Sequence, residues 1–461
     1  MIFEQHYLDC LSQASYLIGD ESTGRAVVVD PRRDVSAYVE SADEQGLTIE
    51  LVIETHFHAD FLSGHLELAA ATGATIAYGE AAETEFESRK LADGERISLG
   101  EVTLEVRHTP GHTPESISVV VYEHPDDQTP YGVLTGDALF IGDVGRPDLL
   151  SAKGTSSEDL AGQLYESLHG KLLTLPDATR VYPAHGAGSA CGKNLSTDTW
   201  STIGEQRTSN YALAPMSKDQ FIATVTDGQS APPAYFSFDA VRNRELHAIF
   251  DESVPPAPLS LAEVLRRQRS GAVVLDTRDP NEFAVGHLIG SVNVGLSGRY
   301  AEYAGGVIQP GVPIVLVAEP GSEVEARNRL ARIGFDSVVG YLDDPILALE
   351  MHPDEVARSS RLNVAQLVDA LASIEDLQLI DVRQPGETAD GVIKGAVLVP
   401  LTQLDERLAS LDAAKPTVVY CAGGFRSSIA ASRMAAVGFA DVSDLLGGYG
   451  AWLSAHEPTP T

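Results

Sequence analysis

The sequence predicts an α/β chain of about three domains, the last two built on parallel sheets. Three observations carry this. At 461 residues, and roughly 150 residues per domain, the length sets the domain number. Short apolar runs bounded by turn residues alternate with helical patterns, which is the sequence form of strand–helix–strand units. The chain also repeats itself: Val273–Pro280 resembles Gln378–Pro385, and Gly290–Val292 matches Gly395–Val397, both 105 residues further on.

Strand-like runs fall at Ala26–Val29, Thr48–Thr55, Val102–Arg107, Ile117–Tyr122 and Gly132–Thr135, with histidines and aspartates just beyond their ends. Loops on a rigid scaffold are where chemistry is usually placed. Residues 1–250 therefore read as an α/β sandwich with a site at its strand ends. The proline-rich stretch Val254–Pro258 reads as a linker. Each repeat then opens with a helical pattern, Leu261–Arg269 or Val364–Leu371. A strand ending in Asp-x-Arg follows (Asp276 and Arg278; Asp381 and Arg383), then a second strand (Ile314–Val317; Thr417–Tyr420) and an amphipathic helix. A second junction lies near Met351–Arg361. The expected domains are 1–250, 259–350 and 358–461.

Composition limits the function classes. Acidic residues number 66 against 32 basic, a formal charge of −34, which disfavours nucleic-acid and anionic-membrane partners. Apolar residues at 43% suffice for globular cores, and no apolar run approaches a bilayer span. Met1–Leu17 lacks the basic and apolar regions of a signal peptide, and three scattered cysteines (Cys10, Cys191, Cys421) make no disulfide framework. A cytoplasmic location is expected. The 7 lysines against 25 arginines and the spread of acidic residues fit either an ordinary solvated surface or one adapted to high salt.

The phrase Thr55-His56-Phe57-His58-Ala59-Asp60 follows an apolar strand, and a His-x-His-x-Asp loop can aim imidazoles and a carboxylate into one space. Gly111-His112-Thr113, Gly136-Asp137-Ala138 and Ala184-His185-Gly186 each follow a strand of their own. On these phrases residues 1–250 resemble the metallo-β-lactamase superfamily, which implies an αββα sandwich. In its two-metal hydrolases a histidine follows the motif's aspartate; here Phe61 stands there and cannot bind metal, while His65 belongs to the following helix. Together with Gly145-Arg146-Pro147-Asp148, the phrases resemble the persulfide dioxygenases. That resemblance implies one non-haem Fe(II) per chain on His56, His112 and Asp137, with zinc an alternative occupant as purified. Such a triad leaves open positions for O₂ and substrate. His58, Asp60 and His185 then orient ligands or contact substrate. Arg146 is either half of an ion pair with Asp148 or an organiser of the site loop. Cys191, in a glycine-rich loop after His185, is either an inert buried thiol or a sulfur-handling group.

Tyr420-Cys421-Ala422-Gly423-Gly424-Phe425-Arg426-Ser427 follows a strand and opens a helix. Inward-pointing backbone N–H groups, the helix N-terminus and Arg426 all favour a thiolate or persulfide anion on Cys421. With Asp381-x-Arg383 and Gly447-Gly448-Tyr449, this loop resembles that of a rhodanese domain; its length suits sulfur rather than a tetrahedral oxyanion. The catalytic pair is then Cys421 and Arg426, cradled by Ala422, Gly423, Gly424, Phe425 and Ser427. In the first repeat Val317 replaces the cysteine and Ser322 the arginine, so that copy is expected to be inactive.

The two resemblances together imply sulfide detoxification. A low-molecular-weight thiol persulfide and O₂ give sulfite and thiol, and Cys421 moves sulfane sulfur between persulfide and sulfite or thiosulfate. Self-association into a homo-oligomer is also implied. Two rival readings stand beside this one: a glyoxalase II-like thioester hydrolase, and a sulfur carrier whose metal domain is structural.

Overall fold

A computed structural model describes residues 1–149, 155–229, 231–389 and 391–456; the tail 457–461 of the third expected domain lies outside them. The chain divides into two compact units, Met1–Glu252 with Ala331–Gly334, and Ser253–Leu330 with Phe335–Thr461.

The first unit is an αββα sandwich. Its first sheet runs in sequential order through β1 (Ile2–Leu8), β2 (Gln13–Asp20), β3 (Arg25–Val29), β4 (Thr48–Ile53), β5 (Thr75–Gly79) and β6 (Arg89–Leu91). The second holds β7 (Arg96–Ser98), β8 (Thr103–His108), β9 (Ile117–Tyr122), β10 (Gly132–Gly136), β11 (Arg180–Pro183) and β12 (Ser201–Thr202), again in sequential order. Inner faces meet in a core that includes Tyr16, Ile18, Val27, Ile53, Leu104, Val119 and Leu134. The outer face of the first sheet buries Tyr38, Ala42 and Leu68 from two helices, and that of the second buries Leu164 and Phe221. Strands covered on both faces read as continuous apolar runs, which is why Ile117–Tyr122 was legible. The hairpin β1–β2 was not: Ile2–Leu8 is half-buried throughout and Gln13–Asp20 wholly buried with polar residues included, so neither shows a period.

The second unit holds two five-stranded parallel sheets. The first joins β13 (Pro258–Leu259), β14 (Val273–Asp276), β16 (Val292–Asn293), β17 (Ile314–Val317) and β18 (Val338–Leu342) in the order β13-β18-β17-β14-β16. Between β14 and β16 comes β15 (His287–Leu288), which pairs antiparallel with β19 (Val356–Ala357). The expected junction at Met351–Arg361 is thus partly ordered into that pairing. The second sheet joins β20 (Ser360–Leu362), β21 (Gln378–Asp381), β22 (Val397–Leu398), β23 (Thr417–Tyr420) and β24 (Val442–Leu445) in the order β20-β24-β23-β21-β22. Position for position this is the order of the first.

Asp-x-Arg is a staple in both repeats. Asp276 and Asp381 are fully buried, and each accepts from the backbone N–H and the guanidinium of the arginine two residues on. That arginine also donates to a carbonyl eight residues beyond it, Gly286 or Gly391. The pair closes the connection after the strand and satisfies the charge it buries.

Candidate functional site

In the first unit the loops after β4, β8, β10 and β11 converge. His56 Nε2 stands 3.7 Å and His112 Nε2 3.4 Å from Asp137 Oδ2. All three residues are at most 1% exposed. Second partners fix how each is presented. Thr55 Oγ1 donates to Asp30 Oδ2 at 2.8 Å, so it receives from His56 Nδ1 at 3.0 Å. His112 Nδ1 donates to the Arg146 carbonyl at 2.8 Å. Both rings are held through Nδ1 and so turn Nε2 toward one point, as metal-binding imidazoles do. Burial, reinforced by His58, pushes His56 well below the usual histidine range, so it is neutral.

Asp137 Oδ1 takes His185 Nδ1 at 2.7 Å, while Oδ2 is buried without a hydrogen-bond partner. Burial alone would raise this carboxyl, but the charge and hydrogen bond of His185 outweigh it and keep Asp137 ionised. The spacings at Oδ2 are too long for hydrogen bonds and suit ligand atoms around a shared ion. Two imidazoles and one ionised carboxylate, with an orphaned oxygen between them, fit a divalent metal.

His185 is held between two carboxylates, with Nε2 2.7 Å from Asp60 Oδ2. Although burial works against it, Asp137 and Asp60 raise it well above the usual range and keep it charged. Phe61 fills the neighbouring volume, fully buried, its ring 4.3 Å from that of His58. Cys191 is buried within 4.8 Å of donor atoms of Asp137 and His185. Burial, then Asp60 and Asp137, push its thiol well up.

Arg146 combines both readings made of it. Its guanidinium grips Asp148 through two 2.7 Å bonds, and its carbonyl, not its side chain, orients His112. Gly145 permits this approach, since a Cβ there would overlap the Asp137 carbonyl oxygen and stand 3.1 Å from His112 Cβ.

In the second unit Cys421 directly follows β23, 1% exposed, and the helix Phe425–Ala436 starts just beyond. Gly424 N–H donates to Cys421 Sγ at 3.1 Å, and Ser427 Oγ lies 3.6 Å from it. Ala422 and Gly423 are exposed at the loop's outer edge. Arg426 makes two 2.6 Å bonds to Glu387, whose own carbonyl is held by Arg383. Burial works against the guanidinium's charge, but Glu387 and then Cys421 raise Arg426 and keep it ionised. Phe425 packs on Tyr303 of the first repeat, ring centroids 5.5 Å apart. Glu387 and Tyr303 were not singled out from sequence: one lies 39 residues from its partner, the other in the opposite copy.

The sandwich and its buried His/Asp cluster define a metallo-β-lactamase-type site, and the paired parallel sheets define a tandem repeat carrying one cysteine loop. The chain matches the metallo-beta-lactamase superfamily over residues 8–185 and the rhodanese-like domain over 260–348 and 364–455. It belongs to the metallo-β-lactamase superfamily, with two rhodanese-like domains following. It is 30% identical over 233 residues to the mitochondrial persulfide dioxygenase ETHE1 of Homo sapiens, covering 50% of this chain and 82% of that protein. It is 34% identical over 182 residues to the cytoplasmic hydroxyacylglutathione hydrolase of Arabidopsis thaliana, covering 39% of this chain and 66% of that one. A crystal structure of a metallo-beta-lactamase from Staphylococcus aureus is 34% identical, spans 74% of this chain and 98% of its own, and superposes with a TM-score of 0.66. Among the described residues no helix is long and apolar enough to cross a membrane.

Proposed function

We propose that the first unit oxidises a low-molecular-weight thiol persulfide with O₂ to sulfite and thiol at one Fe(II), and that Cys421 moves sulfane sulfur between persulfide and sulfite or thiosulfate. The observation that carries this is the ligand set. His56, His112 and Asp137 present three donors to one point, while the position that would complete a second metal site is Phe61 and His185 is already engaged by two carboxylates. Bound there, Fe(II) supplies the redox capacity and open coordination positions that O₂ chemistry needs.

The chain's own residues do the rest. Thr55 and the Arg146 carbonyl hold the two imidazoles in the ligating tautomer. His185 fixes Asp137 through Oδ1 and leaves Oδ2 for the metal. Cys191 lies beside Asp137 and His185, and burial with Asp60 and Asp137 favours its protonated thiol. A cavity of about 160 Å³ lined by Phe57, Pro114, Glu115, Leu160 and Arg244 lies against the loops bearing His56 and His112 and suits the tail of a small thiol. In the third domain Cys421 Sγ takes the outer sulfur as an S–S bond forms on it and the donor's breaks. The Gly424 N–H and the Arg426 charge stabilise the sulfur anion. Val317 leaves the first repeat without a nucleophile, and its role is to support the second.

The likeness to a hydroxyacylglutathione hydrolase favours a second reading, thioester hydrolysis by a two-metal centre; the phenyl ring at position 61 opposes it. Oxygen uptake by iron-loaded protein with a thiol persulfide, run beside thioester hydrolysis, separates the two. Oxygen consumption with sulfite release is expected. Hydrolysis without oxygen consumption overturns the proposal.

A further inference from the structure

Beside the His56 loop lies a second group of buried donors that are not ligands at the first site. Asp30 follows β3, Glu54 follows β4, His58 lies in the loop beyond, and His65 opens the next helix. None is more than 1% exposed. His58 Nε2 stands 3.2 Å from Asp30 Oδ1 and 3.7 Å from Glu54 Oε2, and His65 Nδ1 stands 3.5 Å from Glu54 Oε1. One donor atom from each of Asp30, Glu54 and His58 lies within 4.8 Å of the other two. Ser63 lies beside the Glu54 carboxylate, but no ring nitrogen of His58 or His65 has a hydrogen-bond partner.

Two features separate this group from an ordinary polar core. First, among the described residues the ion-pair partners of Asp30 and Glu54 are imidazoles, not lysine or arginine. Two buried carboxylates side by side without a cation are costly. Second, the separations of His58 Nε2 from the two carboxylates, 3.2 and 3.7 Å, match ligand atoms around one ion, and the longer exceeds hydrogen-bond length. Bonds of 2.0–2.1 Å in tetrahedral geometry place neighbouring ligands about 3.3 Å apart. The first site shows the same spacing, 3.4 and 3.7 Å. Asp30 is already aimed, its two oxygens accepting from the Thr55 N–H at 2.7 Å and hydroxyl at 2.8 Å, from a backbone at φ 52°. That left-handed conformation is strained for a residue with a side chain.

We propose that Asp30, Glu54 and His58 bind a second divalent transition-metal ion, separate from the one at His56, His112 and Asp137. Its two charges cancel those of the two carboxylates. One imidazole and two carboxylates suit zinc, manganese or iron. His65 Nδ1 faces Glu54 Oε1, the oxygen that does not face His58. The ion is structural: it ties the end of β3 to both sides of His56 in the chain and so fixes the loop that presents that ligand.

The test is equilibrium dialysis of the full-length apoprotein against Co(II) at high salt, which screens the acidic surface, with cobalt counted by elemental analysis. Wild type is expected to bind two ions per chain, His112→Ala one, Glu54→Gln one, and the double variant none. Should Glu54→Gln fail to fold, Asp30→Asn takes its place, because Asp30 belongs to this group of candidate ligands and to no other among the described residues. One ion in wild type and none in His112→Ala overturns the proposal, as does unchanged stoichiometry in folded Glu54→Gln. One ion in wild type that survives His112→Ala and is lost in Glu54→Gln would instead remove the first site and leave this one standing.

Discussion

Gly448→Ala is the sharpest probe of the cysteine loop, because its cost follows from backbone geometry alone. Gly448 has φ +57°, and a Cβ there would overlap the Cys421 carbonyl oxygen and stand 2.7 Å from that of Ala422. Those carbonyls accept from Tyr449 N–H at 2.7 Å and Gly450 N–H at 3.0 Å. Neither obstacle is a flexible side chain, so the helix Gly448–His456 must separate from the loop. The left-handed conformation costs about 1 kcal/mol or slightly more for alanine. Losing two backbone hydrogen bonds adds roughly 1 kcal/mol each, more where a donor stays buried. The sum is roughly 3–5 kcal/mol, and at about 4–8 °C per kcal/mol for a domain of this size the melting transition drops by tens of degrees. Gly423→Ala is the control: it lies in the same loop, and a Cβ there meets nothing within 4 Å. The assay is thiosulfate sulfurtransferase activity with thermal unfolding, beside oxygen uptake. Gly448→Ala is expected to lose sulfur transfer and stability while Gly423→Ala keeps its stability. A Gly448→Ala protein with wild-type melting and transfer would refute the packing argument.

Four further outcomes are expected. Cys421→Ser abolishes thiosulfate formation or use and spares oxygen uptake; survival of both activities would show that sulfur transfer does not pass through this cysteine. His112→Ala does the reverse, and parallel assays of the two reactions check it. Asp276→Ala, in the repeat without a nucleophile, destabilises the protein by about 3–5 kcal/mol by stranding buried Arg278, measured by urea unfolding; a loss under 1 kcal/mol would show that the staple is dispensable. Burial would raise Glu387, but the hydrogen bond and charge of Arg426 hold it below its ordinary 4.5. Its contribution is therefore complete above that pH and lost as pH falls through the lower, folded value. Glu387→Gln should flatten the acid limb of stability below pH 4.5, and an unchanged limb would count against the pair.

How much of this was legible depended on where each residue's information sits. His56, His112 and Asp137 stand out because each directly follows an apolar strand, and Cys421 because its loop joins a strand to a helix. Phe61 was informative as a misfit at a position where a histidine would be a ligand. What stayed hidden acts through backbone or distance. The Arg146 carbonyl orients His112, and no residue-type signal marks a carbonyl. Glu387 meets Arg426 only once β21 and β23 lie side by side. Glu54 and His65 did leave a trace, as charged and polar residues embedded in apolar surroundings, but outside the motif they read as ordinary helix and strand ends.

The two repeats separate scaffold from chemistry within one chain. Both keep the sheet order, the strand-ending aspartate and the arginine two residues on. The cysteine, the arginine that opens the helix and the Gly-Gly turn differ. The shared set carries buried charge and strand pairing, which cost several kcal/mol to lose whatever the loop does. The divergent set is partly exposed and carries little of the core. A repeat can therefore lack the cysteine and keep its fold, and here the copy without it still touches the cysteine-loop helix. Its Asn293 N–H donates to Ser432 Oγ on the helix that begins beside Cys421, and its Tyr303 covers Phe425. The first repeat thus packs against the helix and ring beside the cysteine loop, which is a physical reason for the two to remain joined.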